Sequence, residues 1–333
     1  MPFYHRMSQP WRGLFAMALC TVIGALIYYV LSLSFWWQGS AANPEGNTPG
    51  SALLPLYLIF VLVWTFLLVF YFEGWPFSKM SQPGQGIAAS LLVMVLAAIT
   101  YYVFDHMARW AGLIFPIGVG WLIWIFSLGP FAGSPLVKAY QGKQPVSGIS
   151  GFITTLGFTL ITVWIIPEQW MGIAAGFPFV WFVVAVWFFM LWPTWPLPTG
   201  SVTAQWITRL GYMGFFSFVI LWVLSAVGLN FFADQRGAGF GLIYLLAILT
   251  PVGLFQYWPF HKLGEVARGW VWFFLTAILG VVAYLIVDSF APAQRGLYDA
   301  QVVTWGLALF AGYWFYTLLA GGAAAPAPGS ENK

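Results

Sequence analysis

The chain has 333 residues, 61% of them apolar and only 6% charged, with 12 Lys or Arg against 9 Asp or Glu. A soluble domain carries about 25% charged residues, so a water-exposed globule is excluded, and a net charge of +3 makes no case for nucleic acid. One cysteine, Cys20, excludes an intramolecular disulfide and a cysteine-based metal cage.

Apolar runs long enough to cross roughly 30 Å of hydrocarbon recur along the whole chain. Unpaired backbone groups are prohibitive in lipid, and no alternating barrel pattern is present, so these runs are expected to be helices. Arg6 and Arg12 precede the first run, 13–36, which superficially resembles a signal peptide. The run outlasts an h-region of about 7–15 residues and no small-residue cleavage site closes it. An uncleaved first span is expected. The loop 38–52, with Asn43-Pro44-Glu45-Gly46, leads to the second span, 53–73. Trp75-Pro76-Phe77-Ser78-Lys79 follows, then Pro83-Gly84, then the third span, 86–105, which ends on Asp105.

The fourth span, 110–131, closes with Gly129-Pro130-Phe131 ahead of a loop from Lys138 to Gly148. On the fifth, 147–166, Gly148, Gly151, Thr155, Thr159 and Thr162 follow three- and four-residue steps and so share one stripe. Such a face either lets helices approach closely or lines a narrow path for a neutral or anionic solute. Packing is the favoured role. The sixth span, 172–192, gives way to Trp195-Pro196-Leu197-Pro198, and the seventh and eighth are 206–229 and 239–258. Trp258-Pro259-Phe260-His261-Lys262 leads into the ninth, 267–287, with Asp288 at its end, and the tenth is 301–320. The Ala/Pro/Gly/Ser-rich tail, 322–333, is expected to be disordered. The fold class is therefore all-α, ten transmembrane helices in one domain, 1–321.

Orientation follows from the cations, which favour the cytoplasmic side. With both termini cytoplasmic, Arg6, Arg12, Lys79, Lys138, Lys143, Arg209, Lys262, Arg268 and Lys333 lie inside. Only Arg109, Arg236 and Arg295 lie outside. The expected location is the cell (inner) membrane. Trp and Tyr gather at span ends, where amphipathic rings prefer the headgroup layer, so most tryptophans need no functional explanation.

The Trp-Pro-Phe-x-Lys motif occurs twice. Carried forward without gaps, the alignment also pairs Gly86 with Gly269, Leu92 with Leu275, Leu96 with Leu279, Tyr101 with Tyr284 and Asp105 with Asp288. That agreement exceeds what composition explains and marks an internal parallel repeat of about 55–105 and 238–288. Proline stops the first helix of each hairpin because it lacks an amide proton, and small residues allow the return. The weaker echoes at 129–131 and 195–198 suggest a two-helix unit, with the tenth and first spans completing a fifth pair. A ring of five hairpins is similar to the tellurite-resistance/slow-anion-channel family, which has ten helices at about this length. The likeness is architectural; none of that family's sequence motifs is present, and no residue is carried over.

No span centre carries an ionisable group, which favours facilitated passage over ion-coupled pumping. No nucleophile–base–acid set, phosphate loop, metal-ligand spacing or dinucleotide fingerprint is visible, and His5, His106 and His261 are scattered. The first expectation is a channel or permease for a small neutral or anionic solute without ion coupling. Lys79 and Lys262 are candidates for its inner mouth, Asp105 and Asp288 for its outer one, and Thr155, Thr159 and Thr162 for its wall. The alternative is a non-catalytic membrane subunit that anchors or organises a larger complex. The sequence leans against an enzyme, although an aromatic content of 20% suits a flat ligand such as a quinone or pigment. No cofactor is expected beyond such a bound lipid, quinone or pigment. The expected partners are the bilayer and further copies or other membrane subunits.

Overall fold

In a computed structural model of the chain, the described residues are 7–32, 53–81, 84–106, 114–129, 134–135, 139–140, 142–165, 180–192 without 182 and 189, 201–226, 246–247 and 254–289. Among them are helices and turns and no strand. The helices are α1 (Trp11–Ser32), α2 (Leu53–Phe70), α3 (Gly84–His106), α4 (Ile114–Leu128), α5 (Val146–Ile165), α6 (Val202–Ala226) and α7 (Glu265–Ser289). Further helical residues lie between 180 and 191. Among the described residues four helices, α3, α5, α6 and α7, are long and apolar enough to cross a membrane. Shorter apolar stretches lie in α1, α2 and α4. This is the composition of a helical membrane protein. The expected loop 38–52, most of 239–258, the first part of 172–192, the span 301–320 and the tail 322–333 lie outside the described residues.

Two kinds of helix are present, and their sequences explain the difference. From Tyr57 to Phe70, α2 is buried on every side except at the half-buried Trp64 and Val69. From Ile117 to Leu128, α4 is buried in the same way, with Ile123 and Trp124 half-buried. Both helices are apolar all round, as an enclosed helix must be. The described residues from Val183 to Trp187 are likewise buried.

By contrast, α1, α3, α5, α6 and α7 each bury one stripe and expose the other. On α3 the buried stripe is Gly86, Ala89, Val93, Ala97 and Phe104, while Ile87, Leu91, Val95 and Ile99 are exposed. On α5 it is Ser147, Gly148, Gly151, Thr155, Thr159 and Val163, while Ile149, Ile153, Ile161 and Trp164 are exposed. Small residues inside and bulky apolar ones outside reverse the pattern of a water-soluble helix. That is the expected arrangement when the outer solvent is lipid and close backbone approach holds the bundle together.

The hairpin of α2 and α3 lies beside that of α4 and α5, with α2 and α4 in contact. Gly148 and Gly151 on α5 receive the rings of Phe72 and Tyr71, which occupy the space a Cβ would need. On α1, Gly13 receives the ring of Phe255 in the same fashion. The second span stops at Phe70 rather than 73 because the chain turns at Tyr71. There Glu73 and Gly74 take left-handed φ values of 50° and 77°.

Candidate functional site

The two Trp-Pro-Phe-x-Lys segments take the same backbone form. In the first, Trp75 N–H donates to Phe72 O at 2.8 Å and Met80 N–H donates to Phe77 O at 2.9 Å. In the second, Trp258 N–H donates to Phe255 O at 3.0 Å and Leu263 N–H donates to Phe260 O at 3.0 Å. Both Trp–Pro bonds are cis. The two residues ahead of each motif are left-handed: Glu73 and Gly74 in one, Gln256 (φ 52°) and Tyr257 (φ 61°) in the other.

Each turn is also gripped by the start of a helix distant in sequence. Gln144 Nε2 donates to Tyr71 O at 2.8 Å, and Gln9 Nε2 donates to Leu254 O at 3.2 Å. Tyr71 and Leu254 are both four residues ahead of their motif's tryptophan. Each glutamine precedes a proline through a cis bond. The proline opens a helix at a position where the missing amide proton costs nothing. Three residues beyond each proline, Gly148 or Gly13 meets the ring of Phe72 or Phe255. Turn and helix start thus form a module: the first is 71–81 with 144–148, the second 254–264 with 9–13. Both docked helix starts carry Gln-Pro-x-x-Gly, at Gln9-Pro10-Trp11-Arg12-Gly13 and Gln144-Pro145-Val146-Ser147-Gly148, but the pattern also occurs at Gln82-Pro83-Gly84-Gln85-Gly86 and so does not by itself signal the docking. Reading for the Trp-Pro-Phe-x-Lys motif alone misses it.

Contacts carry one module to the other. Tyr71 OH donates to Ile125 O at 2.9 Å near the end of α4, and Trp206 Nε1, near the start of α6, donates to Ser127 O at 2.7 Å. Tyr212 stacks on Phe188 with ring centroids 6.0 Å apart, and Tyr257 OH donates to Met190 O. Both modules therefore lie at one end of the bundle. Lys79 and Lys262 are exposed there, each on its own turn. Trp75 and Trp258 are partly exposed at 40% and 37%, beside exposed Pro76 and Pro259 and half-buried Phe77 and Phe260.

Since α3 and α7 run away from their turns, Asp105 and the backbone of Asp288 lie at the far end. The Asp105 carboxylate is 3.9 Å from His106 Nδ1, and that ring nitrogen contacts Tyr102 O at 3.0 Å. The side chain of Asp288 lies outside the described residues. Among the described residues no three His, Cys, Asp or Glu gather as a metal site would require.

The hydroxyl stripe of α5 faces protein. Thr155 and Thr159 are fully buried, and their hydroxyls donate to Gly151 O and Thr155 O, each at 2.7 Å. Indoles of α4 complete the set, Trp121 Nε1 donating to Thr155 Oγ1 at 2.9 Å and Trp124 Nε1 to Thr162 Oγ1 at 3.0 Å. The same pairing joins Trp64 to Thr100 at 2.8 Å and Trp181 to Ser127 at 3.0 Å. Helical spacing marks the hydroxyls of α5 in the sequence, but nothing there marks Trp121 and Trp124 as their partners.

The charge around the two turns differs. In the first, Glu73 Oε1 accepts from Gly142 N at 3.2 Å. In the second, Arg12 Nη2 donates to Gln256 Oε1, and the Arg268 guanidinium stands 4.2 Å from the centre of the Tyr257 ring. No family model, curated protein or solved structure matches this chain.

Proposed function

We propose that the protein is a non-catalytic, ten-span subunit of the inner membrane, with both termini cytoplasmic, that anchors or organises a larger membrane complex. The single observation that supports this reading is that buried hydroxyls among the described residues are already engaged. Six buried hydroxyls, on Thr65, Ser127, Thr155, Thr159, Ser217 and Thr276, are tied to a carbonyl of their own helix or to an indole. Of these, Thr155 both donates to a carbonyl and accepts from an indole, which leaves it little to offer a passing solute. Beside them stand the apolar, enclosed side chains of α2 and α4. The two-module layout fits a duplicated ancestor, and the cation bias supports a cytoplasmic face for both turns.

A second reading, a passive channel or permease for a small neutral or anionic solute, is favoured by one observation. Half-exposed helices jacket the enclosed α2 and α4, as in architectures whose inner helices surround an axial path. Lys79 and Lys262 would flank its mouth, and Asp105 and Asp288 its far end.

Native gel electrophoresis of mild-detergent extracts, paired with solute flux in proteoliposomes, separates the two readings. The scaffold reading expects a discrete assembly with other membrane subunits at fixed stoichiometry and flux no greater than in empty vesicles. A lone protein or homo-oligomer with saturable flux of a neutral or anionic solute overturns it. Absorbance of the purified assembly reports whether a quinone or pigment accompanies the chain.

A further inference from the structure

The two modules act as an internal control for each other, because the same backbone carries different side chains at equivalent positions. Two residues after the Gln-Pro proline stands Ser147 in the first module and Arg12 in the second. Six residues after the motif lysine stands Gln85 in the first and Arg268 in the second. The two residues ahead of the tryptophan are Glu73-Gly74 in the first and Gln256-Tyr257 in the second. The first module holds its turn without a guanidinium at either position, so the fold alone does not require the arginine pair.

Both arginines bear on the same dipeptide: Arg12 donates to Gln256 and Arg268 lies over the Tyr257 ring at 4.2 Å. Gln85 occupies the corresponding place over Gly74. The second dipeptide keeps a left-handed backbone (φ 52° and 61°) without glycine, a conformation that persists in bulky residues where surroundings over-determine it. Two buried donors at the same place have no hydrogen-bond partner among the described residues: Arg268 Nε and, one turn along α7, the indole Nε1 of Trp272. Trp272 is only 4% exposed and packs edge-on against Phe260 of the turn, centroids 5.5 Å apart. Lys262 is exposed on the rim, next to exposed Leu263 and Val266. Among the described residues one carboxylate, Glu265, bears electrostatically on this turn, acting on Tyr257 as well as on Arg209.

We propose that the second module is a phosphate-binding site, in which Arg12 and Arg268 hold a phosphate group of a lipid headgroup or of a free anion. Guanidinium is suited to this because its planar fork gives two parallel, charge-assisted hydrogen bonds to phosphate oxygens. Basic pockets between membrane helices on the cytoplasmic side are recurrent headgroup sites. The exposed Leu263 and Val266 offer an apolar path for acyl chains beside the charged centre. The proposal is independent of the scaffold or channel reading.

The test uses the full-length protein in detergent, by native mass spectrometry and thermal melting. The probes are phosphatidylglycerol, phosphatidylcholine with the same chains, and inorganic phosphate. The expected result is a saturable one-to-one phosphatidylglycerol complex, weakened about tenfold or more in the Arg12→Gln/Arg268→Gln double variant. The Ser147→Ala/Gln85→Ala pair, at the equivalent positions of the first module, should bind as the native protein does. If inorganic phosphate alone raises the melting temperature, and the double variant loses that shift, the anion is free rather than lipid-borne and the site stands. If the double variant does not fold, Arg268→Lys keeps the charge but loses the fork, and its binding should fall severalfold. Undiminished binding in whichever of the arginine variants folds, equal loss in the first-module pair, or no binding of any probe overturns the proposal.

Discussion

The two turn modules share a backbone and differ in charge. In the first, Glu73, Gly74, Gln85 and Ser147 surround the turn; in the second, Gln256, Tyr257, Arg268 and Arg12 stand in their places. What stays fixed is the set that makes the shape: Trp-Pro-Phe-x-Lys, the Gln-Pro helix start, and the glycine beneath Phe72 or Phe255. The comparison separates residues needed to form a tight return between helices from residues free to be used for something else.

The largest effect is all-or-none. Lys79→Cys and Lys262→Cys, each in a background with Cys20→Ala, should react with an impermeant thiol reagent from the same side of sealed vesicles. Labelling from opposite sides breaks the equivalence of the modules. Next, Gly148→Leu and Gly13→Leu should each lower stability by about 1–3 kcal/mol, because Phe72 and Phe255 must leave the space a side chain would fill. Equal losses in detergent melting sharpen the comparison. A loss confined to Gly148 shows that the docking of α1 contributes little.

Smaller is Gly74→Ala, which forces a Cβ onto a backbone with φ of 77° and should cost about 1 kcal/mol. Tyr257→Gly relieves that strain in the second module but loses the hydroxyl donated to Met190. Its melting temperature should therefore fall, although its backbone becomes easier to form. Smallest is Thr155→Val, which leaves Trp121 Nε1 without its acceptor and should cost about 0.6–1 kcal/mol by the same melt.

Much of the architecture was legible because lipid imposes a simple rule. Length and hydropathy give α3, α5, α6 and α7 as membrane-crossing helices, and the proline after Trp75 and Trp258 marks where two helices reverse. The stripe on α5 was legible as a face because Gly151, Thr155, Thr159 and Thr162 obey helical spacing. Whether that face meets protein or solute was not, since the answer lies in Trp121 and Trp124, 34 and 38 residues away from their threonine partners. The docking of α1 was harder still. Gln9 finds Leu254 across 245 residues, and a five-residue pattern of ordinary amino acids carries no address for so distant a partner. The arginine asymmetry between the modules was hidden for a related reason. Arg12 and Arg268 count as two more inside cations until the fold brings both to Gln256 and Tyr257.

That long reach of α1 bears on how the protein is made. Helix α1 needs a landing place that is translated 245 residues later. At about 5–20 residues per second, the interval is roughly 10–50 s. Through that time α1 must sit in the bilayer or be held by the insertion machinery, its Gln9 and Gly13 unmatched. Helix α1 is thus seated long after it is made, and only once the second turn has emerged.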